Sequence, residues 1–358
     1  MSLLHLDFPS GQTGLYGTNT SYLLNGTYAE TNGLSLVEDP DPTTTGNVLH
    51  YNSSTTYCLL RKVLPASETT VGFACRLWFP ALPADASRMP FLFDARNTGN
   101  TSLFSIKLET DGRISAYRGN PITGSGTLLG TSTSPAIVAN AWQHIELKVF
   151  LDDAAGTIEV RVEGVTVLSL TSQDTLNAAG PCTQIAQGRA SFSSGSHSYY
   201  TKDWVLWDTA GTLNNDFMSS VAVYELIPDG DISFNWAASS GTTGWNLIDE
   251  APPNDDTDYI YAVDPAPAAS KFSLTNLPVD VTTVKGLIAI ARSKKTDGGD
   301  GNLQVGMVSG ASTGLGSDRP ITTAYTYWQD VFEVDPATGL AWAPSAVDAA
   351  QIQLDRTV

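Results

Sequence analysis

The sequence predicts an all-β protein built as two successive β-sandwiches, and three observations carry that expectation. Charged residues make up only 16% of the 358 residues, while 31 glycines and 19 prolines punctuate the chain. That mix disfavours long solvent-exposed helices and suits short strands joined by polar turns. Hydrophobic residues, 42% of the total, fall in runs that alternate with polar ones, which separates the chain from a disordered polypeptide. Strand-length segments then recur between turn signals along most of the chain, as sandwiches require.

The most legible stretch is 140–170. Ile145, Leu147, Val149 and Leu151 alternate with His144, Glu146, Lys148 and Phe150, and Ile158, Val160 and Val162 alternate with Glu159, Arg161 and Glu163. Side chains on a strand point to opposite faces with period two, so each segment has one apolar face. Asp152-Asp153-Ala154-Ala155-Gly156 and Glu163-Gly164 supply the turns of a meander. Before it, strands are expected from Leu3, Leu4, Leu6 and Phe8, and over 33–37, 47–51, 57–63 and 70–79. Val71, Phe73, Cys75, Leu77 and Phe79 form the apolar face of the last of these. A Pro-punctuated loop leads to strands at 91–95, 102–109 and 113–118, the last two joined by an Asp111-Gly112 hairpin turn. Residues 180–198, rich in Gly and Ser, read as loop or irregular strand, and 204–208 and 221–227 as strands. A boundary falls near Pro228-Asp229-Gly230, giving domains 1–227 and 228–358. After an acid-studded connector the pattern resumes at 271–274, 287–292, 303–308 and 321–332, and 346–354 is the one helical candidate.

Nineteen Lys and Arg against 37 Asp and Glu give a net charge of −18, which repels phosphate backbones and anionic lipid and excludes nucleic-acid binding through a basic face. Cys58, Cys75 and Cys182 are odd in number and include no CxxC pair, so neither a zinc site nor a disulfide framework is expected. The opening MSLLHLDFPSG lacks a basic region and a long apolar core, and no stretch reaches transmembrane length. Synthesis in the cytoplasm without membrane insertion is the expectation.

Two sets of motifs carry family resemblances. Residues 71–227 combine the Asp111-Gly112 hairpin, the strand opening Trp142-Gln143-His144-Ile145-Glu146, a following hairpin with Gly164 and a closing strand Lys202-Asp203-Trp204-Val205-Leu206. This region resembles a concanavalin A-like, laminin-G-like jelly roll; that family often carries two acids before its last strand, and Lys202 stands in place of one of them. The second set is Gly211-Thr212-Leu213-Asn214-Asn215-Asp216-Phe217, Val221-Ala222-Val223, Trp245-Asn246-Leu247-Ile248-Asp249-Glu250-Ala251-Pro252-Pro253, Asp255-Asp256-Thr257-Asp258-Tyr259, Tyr327-Trp328 and Asp335-Pro336-Ala337-Thr338-Gly339-Leu340-Ala341-Trp342. It resembles a recurrent class of tailed-phage virion proteins. The resemblance implies a structural component of the particle (capsid decoration, head fibre or minor tail protein), made in the host cytoplasm, contacting other virion proteins and repeated as a homo-oligomer.

Several constellations of side chains bear on chemistry. Retaining glycosidases need two carboxylates roughly 5 Å apart. Glu159 and Glu163 have a suitable spacing but share a face with Arg161, so an ion-paired solvent face is expected and the chain is read as no enzyme. His5, His50, His144 and His197 accompany no G-x-S-x-G elbow, and His144 is assigned to the framework. A glycan could be held by Tyr199, Tyr200 and His197 beside the Ser/Gly-rich loop, with Trp204 and Trp207 close in sequence. Calcium is the one cofactor considered, with Asp249, Asp255, Asp256 and Asp258 as its ligands; Asp297-Gly298-Gly299 reads as a hairpin tip. Host-surface glycan adhesion joins the structural role, with a free carbohydrate-binding lectin or a polysaccharide depolymerase as alternatives.

Overall fold

The computed structural model describes residues 2–7, 27–31, 34–42, 47–53, 58–84, 90–121, 125–178, 180–189, 197–250, 253–263 and 267–357. The expected strand position Phe8 and the loop 190–196 lie outside the described residues. The chain divides into two compact units, Met1–Val223 and Tyr224–Val358, and both are β-sandwiches.

The first unit contains β1 (Leu3–Asp7), β2 (Thr27–Thr31), β3 (Leu34–Glu38), β4 (Asn47–Ser53) and β5 (Cys58–Glu68). β6 (Thr70–Trp78), β7 (Phe91–Arg96), β8 (Ser102–Leu108), β9 (Ile114–Arg118) and β10 (Thr127–Thr131) follow. The meander is β11 (Gln143–Phe150), β12 (Gly156–Val162) and β13 (Val165–Gln173), and β14 (Cys182–Arg189) and β15 (His197–Trp207) complete the unit. One sheet has the order β13-β12-β11-β6-β15-β4-β3, with β1 also paired to β15; the other has the order β10-β9-β8-β7-β14-β5-β2. Every pairing between these strands is antiparallel.

The two inner faces meet through large apolar side chains. Phe73 of β6 lies 5.7 Å from Phe93 of β7, and Trp204 stands edge-on to Phe73 at 5.2 Å. Ile145, Leu147, Val149, Ile158 and Val160 are all buried. At the Asp111-Gly112 turn, Gly112 has φ +83°, a left-handed conformation that favours glycine. One polar side chain spans the core: Gln187 of β14 accepts a hydrogen bond from Trp204 Nε1 at 3.0 Å and donates to Cys75 Sγ and the Leu92 carbonyl. Such a group is tolerated inside because its donors and acceptor are satisfied.

Three sequence expectations are corrected. Of the stretch 180–198, expected as loop or irregular strand, residues 182–189 form a strand with register shifts that is paired on both sides, between β5 and β7, so the loop alternative falls there. Its run Ile185, Ala186 and Gln187 is buried, and its lack of period-two alternation hid it. Residues 221–227 contain no strand. The expected helix at 346–354 shrinks to one turn, because 351–356 is a strand.

The second unit comprises β16 (Pro228–Ser233), β17 (Ala237–Ala238), a 3-10 turn at Trp245–Leu247, β18 (Ile260–Tyr261) and β19 (Ser270–Leu274). Then come β20 (Leu287–Ser293), β21 (Asn302–Ser309), β22 (Ser312–Leu315), β23 (Arg319–Pro320), β24 (Thr326–Phe332), α1 (Pro344–Asp348) and β25 (Gln351–Arg356). β25 sits inside the sheet β16-β19-β25-β21-β22, with β23 paired to β21. The ribbon β20–β24 packs over it through a core that includes Ala289, Phe332, Val305, Met307, Trp342 and Val347.

The faces of β12 give a direct test. Val160 is fully buried, so Val160→Asp places an unpaired charge in the core and should abolish cooperative unfolding of the first unit. Glu159, paired with Arg161 at 2.8 Å, is partly exposed, so Glu159→Ala should cost less than about 1 kcal/mol in urea denaturation. The reverse ranking would mean that the strand faces are inverted.

Candidate functional site

The outer face of the β6–β15 sheet holds the polar and aromatic side chains that the core excludes. Alternation on β6 sends Val71, Phe73, Cys75 and Leu77 inward, leaving Gly72, Ala74, Arg76 and Trp78 on the outer face. β15 pairs with β6 in the register Tyr200↔Trp78 and Lys202↔Arg76, then Val205↔Ala74 and Trp207↔Gly72. One extra residue in β15 is therefore a β-bulge, and Asp203 within it has φ +59°. The bulge reverses the alternation. Tyr199 and Thr201 point into the core before it, Trp204 and Leu206 after it, and Trp207 ends on the outer face above Gly72. A Cβ on Gly72 would meet the Trp207 indole at 1.9 Å, so the glycine makes room for the ring.

One half of this face is closed by residues 208–223, which cross it as an extended strap. Asp216 accepts a hydrogen bond from Lys148 Nζ at 2.6 Å. The ring of Phe217 lies 3.7 Å from the Arg161 guanidinium and tilts against Trp207 at 6.5 Å. The Met218 N–H donates to Glu146 Oε1 at 2.8 Å, Arg76 to Ser220 Oγ at 2.7 Å, and the Val223 N–H to Asp203 Oδ1 at 3.0 Å. Alternating Val221 and Val223 give this strap the same sequence signature as a strand.

Beneath the strap, His144, Glu146 and Asp203 are buried. The Val221 N–H approaches His144 Nε2 at 3.5 Å, and His144 Nδ1 has no hydrogen-bond partner. Burial, with the charge of Arg76 as a second cause, pushes the His144 imidazole down to about 4. Burial raises the Asp203 carboxyl, partly opposed by the Val223 N–H and by Arg76.

The other half of the face is open. Trp78, Trp142, Tyr200 and His50 are each half-buried there. His50 stacks on Tyr200 with ring centroids 4.4 Å apart, and Trp78 leans on Trp142 at 5.9 Å. His50 Nε2 and Ser198 Oγ share a hydrogen bond of 2.8 Å, and burial lowers the His50 imidazole, favouring its neutral form. Asp39, from the turn after β3, accepts from Trp142 Nε1 at 2.9 Å and from Lys202 Nζ at 2.7 Å. Lys202 also sits 4.2 Å above the Trp142 ring. Half-exposed aromatic rings edged by hydrogen-bonding groups form a surface on which a flat, hydroxylated ligand can stack.

The structure separates the three expected glycan contacts. Tyr200 is on the open face. Tyr199 is only 1% exposed, clamped in the core between Tyr51 at 4.4 Å and Phe79 at 5.1 Å, because neighbours on a strand face opposite ways. The backbone of His197 pairs with Ser53, and its side chain lies outside the described residues. Trp204 and Trp207 are buried. Sequence reasoning missed Trp78, Trp142, His50, Lys202 and Asp39 as one group; the signal available was Trp78's parity opposite to Phe73, Cys75 and Leu77.

In the second unit two of the four acidic residues expected to hold calcium, Asp255 and Asp256, are paired with cations. Arg292 grips both carboxylate oxygens of Asp255, and Asp256 accepts from Lys294 and from the Tyr325 hydroxyl at 3.0 Å. Asp249 and Asp258 lie near Glu250, whose carboxyl is raised by burial first and then by their charges. Among the described residues no group of three or more His, Cys, Asp or Glu is arranged to hold a metal ion. Asp255 and Asp256 latch their loop onto the β20–β24 ribbon.

No protein-family model matches the chain, and no curated protein does. Solved structures do resemble it. The endo-β-1,4-glucuronan lyase from the fungus Trichoderma reesei is 11% identical, with a TM-score of 0.42, covering 57% of this chain and 94% of that one. The carbohydrate-binding module CBM66 from Bacillus subtilis is 7% identical, with a TM-score of 0.33 over 52% of this chain and 97% of that one. The carbohydrate esterase vb_24B_21 from the Shiga toxin-encoding bacteriophage phi24B is 12% identical, with a TM-score of 0.37 over 56% of this chain and 99% of that one. At such scores the likeness carries no argument about function, which rests on the geometry above.

The buried imidazole sets a pH dependence. The unfolded chain protonates His144 near its ordinary value of 6.5, whereas the folded protein resists protonation until about 4. The stability this supplies is present above pH 6.5 and is lost as the pH falls toward 4, by about 3 kcal/mol. Asp203 contributes with the opposite sign but is common to wild type and His144→Gln. Urea denaturation at pH 7, 5.5 and 4 should show wild type losing more stability on acidification than His144→Gln.

Proposed function

We propose that this chain is a non-catalytic glycan-binding protein, with the open half of the β6–β15 sheet as its binding surface. The observation that carries the reading is the strip of half-buried rings, Trp78, Trp142, Tyr200 and His50, bordered by Asp39, Lys202 and Ser198. Pyranose rings have apolar faces and hydroxyl edges, and this surface offers aromatic faces with charged and hydroxyl groups beside them. The non-catalytic reading is supported by the state of the nearby carboxylates. Asp39 is engaged with Lys202 and Trp142, and Asp203 with Arg76 and the Val223 amide, so both act as struts.

Glycan-array screening followed by calorimetry tests the proposal. Trp78→Ala and Tyr200→Ala should each weaken binding by about tenfold or more while leaving the protein folded. Tyr199→Ala should instead destabilise the first unit by about 3 kcal/mol or more, because it empties the core. A wild-type protein that binds nothing on the array at millimolar glycan would overturn the reading, and release of new sugar chain ends would replace it with a depolymerase.

The finer reading is that this adhesion takes place on a tailed-phage particle. It is supported by the virion-like motifs at 211–217, 245–259 and 327–342. It is also supported by the exposed apolar side chains of the second unit, including Ile232, Val263, Leu315 and Leu340, which suit contacts with other protein surfaces. The chain should be found by mass spectrometry in purified particles; absence from them would leave a free lectin.

A further inference from the structure

We propose that Asp39 makes the aromatic strip selective for neutral sugars and excludes sugar carboxylates such as uronates. The inference rests on the glycan-binding reading and deepens it. Lys202 lies against the exposed rings, and recognition of an acidic sugar there would need its ammonium free to pair with the incoming carboxylate. Its Nζ instead lies 2.7 Å from Asp39 Oδ2 and packs on the Trp142 ring at 4.2 Å. Asp39 is firmly held in that position. Its other oxygen accepts from Trp142 Nε1 and from the Asp41 N–H, each at 2.9 Å, and its side chain is only 2% exposed. Turning it away from Lys202 would break these bonds.

The next cation along the face is engaged as well. Arg76 Nε pairs with Asp203 Oδ2 at 3.1 Å, while its terminal nitrogen donates to Ser220 of the strap. His50 is held toward its neutral form by burial and shares its Nε2 with Ser198. Among the described residues Lys202 and Arg76 are thus each paired with a carboxylate, Asp39 and Asp203, and Asp41 adds a negative charge two residues from Asp39. The whole chain carries a net −18. A uronate carboxylate would shed its water, find Lys202 and Arg76 already paired and meet a repulsive field. A neutral sugar meets no such repulsion, and its hydroxyls can share hydrogen bonds with Ser198 and the Tyr200 phenol.

The test measures binding of matched hexose and hexuronic-acid oligomers by calorimetry at pH 7, in low and high salt. Wild type should bind the neutral member of each pair at least about tenfold more tightly, with the gap narrowing as salt rises. Asp39→Asn keeps the side-chain shape and frees the Lys202 charge, so it should move the ratio toward the uronate by about tenfold. Asp41→Asn removes a neighbouring charge while keeping the backbone N–H bonded to Asp39, and should move the ratio the same way by about twofold. It serves as the measurement if Asp39→Asn does not fold. Uronates bound as tightly as hexoses, or a ratio that neither variant moves, would overturn the selectivity while leaving glycan binding intact. Binding of neither class would overturn the glycan reading, and the selectivity with it.

Discussion

The first unit depends on a single inserted residue in β15. Between Lys202 and Val205 the strand gains one position relative to β6, and the left-handed Asp203 absorbs it. Strict alternation from Tyr200 would put Trp204 on the outer face and Trp207 in the core. The bulge sends Trp204 inward to Gln187, the polar side chain that joins the two sheets, and lays Trp207 over Gly72. It also turns Asp203 toward Arg76 and toward the strap's last amide. The same residue therefore closes the core on one side and secures the strap on the other. What remains uncovered beyond it is the aromatic strip.

Charge is used in a consistent way across the chain. Despite the net −18, many of its described acidic residues serve as fasteners. Asp39 ties the turn after β3 to β15 and to Trp142, Asp216 secures the strap to Lys148, and Asp330 grips Arg319 in the second unit. Asp255 and Asp256 do the same for their loop. The acidic pair Asp255-Asp256 thus finds its cationic partners, Arg292 and Lys294, tens of residues away in the sequence.

Much of the first sandwich was legible because it follows local rules. The meander 140–170, the Asp111-Gly112 hairpin and the inward face of β6 all follow from alternation and turn chemistry. Features set by distant partners were not. β14 lacks alternation because Ile185, Ala186 and Gln187 are all buried, and the strap mimics a strand because an extended segment crossing a sheet also shows period two. The candidate site draws on positions 39, 50, 78, 142 and 200, which no short motif unites. Tyr199 and Tyr200 show the limit most simply. Alternation alone puts them on opposite faces, but only the register with Trp78 says which of them meets solvent.

The sheet order also dictates when this unit can fold during synthesis. β14 lies between β5 and β7, and β15 between β4 and β6, so the last two strands of the unit are the central seams of both sheets. A nascent chain that has emerged only through β13 holds each sheet in two pieces, with the edges of β6, β4, β7 and β5 unpaired. Those edges are templates for mispairing with another chain until residues 182–207 leave the ribosome and fill them together. The sandwich is closed like a zip from its middle, and its most vulnerable moment falls just before the strand that carries Tyr200 arrives.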